Sequence, residues 1–129
     1  MKLIYVSGPM TAETRWETEV LQNHLRIVGL QLIREGYAVI IPQWLGDHIG
    51  RNELNNGLNL RANGKKWKLE DQILGSDCEC VRRSDAIFMC KGWTKSKGAR
   101  IEWDVANEAG IEIMYEEGAE RYVDTTAKG

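Results

Sequence analysis

Asp85-Ala86-Ile87-Phe88-Met89-Cys90, a break at Gly92, and then Ser96-Lys97-Gly98-Ala99-Arg100-Ile101-Glu102 are the residues that decide the fold. The first run is short and almost wholly apolar, which suits a strand buried on both faces, as in a parallel sheet. The second is a small, cationic, glycine-containing turn that opens a helix. Together they form one strand–turn–helix unit, and the same grammar recurs on either side. Lys2–Ser7 ends at Gly8-Pro9, Tyr37–Ile41 follows Gly36 and stops at Pro42, and Ile111–Tyr115 follows Gly110. Each is a β-rich run bounded by turn signals. Helical periodicity fills the gaps at Thr14–Glu35, Lys68–Arg83 and Ala99–Ala109. Alternating strand and helix predicts an α/β fold: a single doubly wound, flavodoxin- or Rossmann-like domain over residues 1–129, with a mainly parallel sheet of four to five strands and right-handed crossovers.

On the first helix the apolar period puts Val20, Leu21, Ile27, Val28 and Leu32 on one side, and Gly36 ends it. Gln43–Lys66 is rich in Gly and Asn, has little periodicity and is long for a connection, so it reads as a lid over the site, with a disordered insert as the alternative. The tail, residues 116–129, is polar and either frays or packs on a neighbouring subunit.

Composition narrows the function classes. A chain of 129 residues, 43% hydrophobic and 28% charged, has the ordinary mix of one soluble domain. A net charge of −2 offers no basic excess for nucleic acid, and no apolar run reaches membrane-spanning length. Met1-Lys2 leads straight into a strand without signal-peptide regions, so a cytoplasmic protein is expected. Cys78, Cys80 and Cys90 form neither an even disulfide set nor a zinc pattern, and His24 and His48 each stand alone, so reduced thiols and no metal are expected.

In an open parallel sheet, ligands bind outside the carboxyl ends of the strands. The loops at those ends are Gly8-Pro9-Met10-Thr11, the Pro42–Trp44 region, and Gly92 to Gly98. Backbone N–H groups at the helix start can hold an anion. Ser96 adds a hydroxyl, Gly98 permits close approach, and Lys95, Lys97 and Arg100 add positive charge, although a solvated turn has the same composition. Trp93 and Trp44 are candidates for stacking on a base, with core packing as the alternative. On the helix from Lys68, Asp77 falls in the middle of the face shared by Ile73, Leu74, Cys80 and Val81. On the helix from Ala99, the stripe Ile101, Val105 and Ala109 points inward. Glu102 and Ala106 lie at its border, and Trp103, Asp104 and Asn107 point away. Asp77 and Glu102 are therefore the acids expected to be least solvated, and two such acids can divide the work at a glycosidic bond. A structural acid at Asp77, a helix-dipole acid at Glu102 and a core tyrosine at Tyr5 are the plainer readings. Asp85 reads as a cap or turn residue.

Ile4-Tyr5-Val6-Ser7-Gly8-Pro9-Met10-Thr11, Gly36-Tyr37-Ala38-Val39-Ile40 with Pro42, Ser84-Asp85-Ala86-Ile87, Gly92-Trp93, and Ser96-x-Gly98-Ala99-Arg100 with Glu102 and Asp104 make the chain resemble the nucleoside 2-deoxyribosyltransferase-like superfamily. The resemblance is nearest to a small bacterial and phage branch and covers about two thirds of the chain, leaving Gln43–Lys66 and the tail outside. It implies that Glu102 attacks the anomeric carbon and forms a covalent deoxyribosyl ester. It also implies that Asp77 is an active-site residue, that Tyr5 and Gly8 contact the sugar and the nucleophile, and that Ser96 occupies the place of a phosphate-binding serine. The hydrolase branch carries an arginine after its first-strand glycine, where this chain has Pro9-Met10-Thr11.

The function expected on this basis is cleavage or transfer at the N-glycosidic bond of 2′-deoxynucleosides or their 5′-monophosphates. Glu102 is the nucleophile, Asp77 delivers a proton to the departing base or binds the sugar, and Tyr5 orients Glu102. Gly8, Pro9, Met10, Ser96, Lys97 and Gly98 line the substrate rim, and Trp93 or Trp44 covers the base. No metal or organic cofactor is called for, the partner is a small-molecule nucleoside or nucleotide, and the chain is expected to form a homodimer or higher homo-oligomer. Two other readings stand beside it: a nucleotide-binding module that sequesters or senses its ligand, and an N-glycosidase for ribonucleotides or an NAD derivative.

Overall fold

The computed structural model describes residues 1–42, 61–62, 65–66 and 69–121. In chain order the elements are β1 (Leu3–Ser7), α1 (Arg15–Arg34), β2 (Ala38–Ile40), β3 (Arg61–Ala62), β4 (Lys65–Lys66), α2 (Leu69–Arg83), β5 (Ala86–Met89), a 3-10 turn (Trp93–Lys95), α3 (Lys97–Ala109) and β6 (Glu112–Tyr115). Four strands form one sheet in the order β2-β1-β5-β6, every neighbouring pair parallel. The α/β reading from sequence is the architecture observed, with each of its four strands displaced by no more than a residue at either end.

Local chemistry sets the boundaries. Thr14 caps α1: its hydroxyl oxygen accepts from the Glu17 N–H at 3.1 Å, and the hydroxyl donates to the Glu17 carboxylate at 2.8 Å. That N-cap satisfies a donor the first turn would leave bare. Gly36 (φ +101°) and Gly110 (φ +72°) end α1 and α3 in left-handed conformations that a side chain would strain. Asp85 acts as a tie, its carboxylate accepting from the Leu3 N–H at 2.7 Å and anchoring the start of β1 beside β5.

Period-two alternation then divides the core. Ile4 and Val6 of β1, with Ala86 and Cys90, face α1 and pack on Leu25, Val28 and Leu32. Tyr5, Ile87 and Met89 face the other way, against Val81 of α2 and Ala99, Trp103 and Ala106 of α3. Gly8 closes the end of β1 tightly. A Cβ there would stand 2.8 Å from Leu25 Cδ2 and 2.9 Å from Cys90 Cβ, so only glycine fits between α1 and the end of β5.

Three sequence expectations need correction. Val20 and Ile27 are about half exposed (49% and 52%), so the single apolar side assigned to α1 is in fact two: Leu25, Val28, Gly29 and Leu32 are the buried ones. On α3 the inward stripe is Ala99, Glu102, Trp103 and Ala106, at i, i+3, i+4 and i+7, whereas Ala109 is exposed. The indole of Trp103 reaches Trp93 and Tyr115, and that rotates the stripe by a residue. Within Gln43–Lys66 the short antiparallel pair of β3 and β4 replaces expected loop, and the rest of the expected lid, Trp44 included, lies outside the described residues.

Candidate active site

Chain order makes the site. From β1 the chain crosses to β2 on one side and later returns to β5 on the other, so the direction of strand addition reverses between β1 and β5 while all strands stay parallel. The crevice at such a switch point, outside the carboxyl ends of the strands, is where open α/β sheets hold ligands. Tyr5 and Ser7, two residues apart on β1, project to the α2–α3 face there. Glu102, one and a half turns into α3, comes down to meet them. Tyr5 Oη donates to Glu102 Oε2 at 2.8 Å, and Ser7 Oγ donates to Glu102 Oε1 at 2.7 Å. Tyr5 and Ser7 are fully buried and Glu102 is 5% exposed.

A carboxylate in this position is held against a strong desolvation cost. Burial raises the Glu102 carboxyl to about 7, the charge of Asp77 adds to the rise, and the two hydroxyl donors oppose it. Asp77 on α2 is 5% exposed, and burial alone raises it to about 6. Its Oδ1 is the buried side-chain atom without a hydrogen-bond partner among the described residues. A buried carboxylate oxygen without a partner costs stability and calls for a reason. Burial and the neighbouring Glu102 charge push the Tyr5 phenol well above its ordinary value, so it stays a donor near neutral pH.

The other sequence candidates fall in different places. Ser96 caps α3, its Oγ accepting from the Ala99 N–H at 3.2 Å. Lys97 is exposed, and a Cβ on Gly98 would meet nothing within 4 Å, so the helix start is open. Pro9 packs near Gly92, where a Cβ would stand 3.5 Å from Pro9 Cγ, and Met10 packs against the α1-side core. Trp93 does not line the rim. It is fully buried, its ring stacks on Trp103 (centroids 6.0 Å apart, planes 14° apart), and its Nε1 donates to the Glu120 carbonyl at 2.6 Å. Residues 116–121, expected to fray or meet a neighbour, fold back here: Thr94 Oγ1 donates to the Glu120 carboxylate at 2.6 Å, and the Arg121 guanidinium lies 5.1 Å from the centroid of the Tyr115 ring.

Ser7 is the contact that residue-by-residue reading passed over. Its signal was available, because period two places it beside Tyr5 at the carboxyl end of β1. The fold also gathers His24, Cys90 and Glu116, whose ligand-type atoms lie within 4.8 Å of one another on the α1 side. There Glu116 meets His24 Nε2 at 2.9 Å and accepts from the Lys91 N–H at 2.8 Å.

Ser7→Ala gives a test of the Glu102 geometry that needs no substrate. Removing a donor from a buried carboxylate is expected to cost about 1–3 kcal/mol at pH 8. The cost shrinks below pH 5, where Glu102 carries its own proton, and urea unfolding at the two pH values reads the difference.

Among the described residues, the four-stranded all-parallel sheet and its three helices make an α/β fold that matches the 2-deoxyribosyltransferase-like fold. The chain belongs to the family described as "Domain of unknown function (DUF4406)", whose model matches residues 2–115. Among solved structures it is similar to a 2-deoxyribosyltransferase from the psychrotolerant bacterium Bacillus psychrosaccharolyticus, described as a biocatalyst for the synthesis of antiviral and antitumoral nucleosides. The TM-score is 0.57 at 17% identity, over 96% of this chain and 78% of that one. At that identity the likeness is one of fold. No curated protein matches the sequence. Among the described residues no helix is long and apolar enough to cross a membrane.

Proposed function

We propose that the protein cleaves or transfers at the N-glycosidic bond of 2′-deoxynucleosides or their 5′-monophosphates, with Glu102 as a covalent nucleophile. The observation that carries this reading is the buried Glu102 carboxylate held on both oxygens by Tyr5 and Ser7, beside the raised carboxyl of Asp77. One donor on each oxygen suits the ionised form and fixes its orientation. Such fixing converts a flexible side chain into a pre-aimed nucleophile.

In the first step a Glu102 oxygen attacks C1′ while the bond from C1′ to the base nitrogen breaks, its electron pair leaving with the base. Protonated Asp77 supplies the proton the departing nitrogen takes. In the second step a water oxygen or an acceptor-base nitrogen attacks C1′, the ester bond breaks, Glu102 leaves as carboxylate, and Asp77 recovers a proton from the attacking group. Two displacements at one carbon retain its configuration. The open start of α3, with Ser96, Lys97 and Gly98, is assigned the 5′ end of the substrate.

Both carboxyls titrate near neutrality, and the reactive form of the singly protonated pair is the one with Glu102 ionised and the proton on Asp77, the minor arrangement for carboxyls at about 7 and about 6. The expected kcat/KM profile is bell-shaped, with its maximum at about pH 6–7. It falls on the acid side as Glu102 protonates and on the alkaline side as Asp77 loses its proton. Asp77→Asn is expected to lower the maximum by roughly 10²–10⁴-fold and to remove the alkaline limb.

The activity itself is tested by free-base release, read by liquid chromatography and mass spectrometry. The panel holds deoxynucleosides, ribonucleosides and their 5′-monophosphates, with and without an acceptor base. Release from 2′-deoxy substrates supports the proposal, and acceptor dependence separates transferase from hydrolase. Release from ribose substrates alone moves the chain to ribonucleotide chemistry. Silence with ligand binding retained makes it a binding module.

A further inference from the structure

Helix α1 carries a second apolar face that the described residues leave bare. Trp16 is 72% exposed, Val20 49%, Ile27 52% and Leu30 47%. At roughly 100° per residue these four share one stripe, on the side of the helix opposite Leu25, Val28 and Leu32. Asn23 fills the middle of the stripe and Arg34 ends it, so the positions 16, 20, 23, 27, 30 and 34 step alternately by four and three residues. That is the spacing of a seam between two helices, and a single Asn inside such a seam fixes register. A contiguous exposed stripe led by a tryptophan is uncommon on a monomer's surface.

We infer that a second copy of this chain covers this face, with the two α1 helices antiparallel about a two-fold axis near Asn23. Charge placement selects that occupant. Glu19 and Arg26 flank the stripe on the same edge, one on each side of Asn23. A two-fold axis at Asn23 brings Glu19 beside Arg26 of the partner subunit, and the same pair forms again by symmetry. It also sets the Trp16 end of one stripe on the Leu30 end of the other. A parallel pairing would set the two on opposite sides of the seam and form no Glu19–Arg26 pair. Among the described residues Glu19 meets an exposed Arg15 at 3.3 Å, a weak surface pair that a partner charge can displace. The helix is about 30 Å long, so the seam supplies an interface core and adjoining surface supplies the rim. The interface rests on α1 alone and is independent of the proposed glycosidic chemistry.

Sedimentation equilibrium of the full chain, without a tag, tests the inference across micromolar concentrations. The expected mass is twice the 14.7 kDa of the chain. The double substitution Val20→Asp with Ile27→Asp, both on the exposed side, is expected to give a monomer with an unchanged circular dichroism spectrum. Glu19→Arg alone and Arg26→Glu alone should each weaken the dimer roughly tenfold, and the two together should restore it. A monomeric wild type at these concentrations overturns the inference, as does a dimer indifferent to the two aspartates. Failure of the exchanged pair to recover what each single substitution loses overturns the antiparallel arrangement.

Discussion

Glu102→Gln is expected to abolish turnover and, at the same time, to make the protein more stable above neutral pH. The physical reason is that the folded chain holds this carboxyl at about 7, against an ordinary value of 4.5. Between those two values the folded state binds more protons than the unfolded one, so stability declines as pH rises through the window. Above about pH 7 the whole cost is present, on the order of 3 kcal/mol for a shift of this size. Below about pH 4.5 both states are protonated and the cost vanishes. Glutamine has the same shape and no charge. Its carbonyl can accept from one of the Tyr5 and Ser7 hydroxyls while its amide donates to the other, which requires one hydroxyl to turn. Allowing for that rearrangement, the expected gain is about 1–3 kcal/mol at pH 8, or roughly 5–10 °C in midpoint, with no gain at pH 4. Thermal unfolding at the two pH values reads it. A loss of stability at pH 8 would mean that Glu102 is a structural acid whose ionised form the fold requires.

Trp93→Ala is the second large effect, and it falls on stability. The side chain is wholly buried between β5, α3 and β6, stacked on Trp103 and tilted against Tyr115 at 6.4 Å, with its indole N–H given to the Glu120 carbonyl. Truncation leaves a cavity and strands that carbonyl, at an expected cost of about 3–5 kcal/mol. For a domain whose whole stability is about 5–15 kcal/mol, that is a large share. Trp93→Phe, which keeps most of the volume, should fold and retain the KM of the wild type. A raised KM in Trp93→Phe without a change in unfolding midpoint would return this residue to the base-stacking role that its place in the sequence suggested.

These two residues show what sequence can and cannot carry. Strand positions were legible because apolar runs such as Tyr37–Ile41, between Gly36 and Pro42, are bounded by turn residues, and those signals are local. Asp77 was legible as a buried acid because its helical neighbours are apolar on every inward position. Glu102 was placed at the border of its helix face and lies at the centre. The displacement came from Trp103, whose inward packing depends on Trp93 and Tyr115 from distant elements. Trp93 itself follows a strand end in sequence, as rim residues do, yet turns inward because residues 116–121 cover it. On α1 the two apolar faces merged into one because periodicity counts apolar residues and cannot say which side meets the sheet. Ser7 required only the alternation of β1. Its bond to Glu102 required the pairing of two elements ninety-five positions apart.

The proposal turns on a covalent bond between Glu102 and the sugar, and stereochemistry at C1′ reports on that bond most directly. The measurement is incubation with a β-2′-deoxynucleoside in the presence of methanol, followed by proton magnetic resonance of the methyl glycoside formed. The expected result is the β-anomer from the wild type and no product from Glu102→Gln. An α-anomer, or product formation that survives Glu102→Gln, would contradict the account.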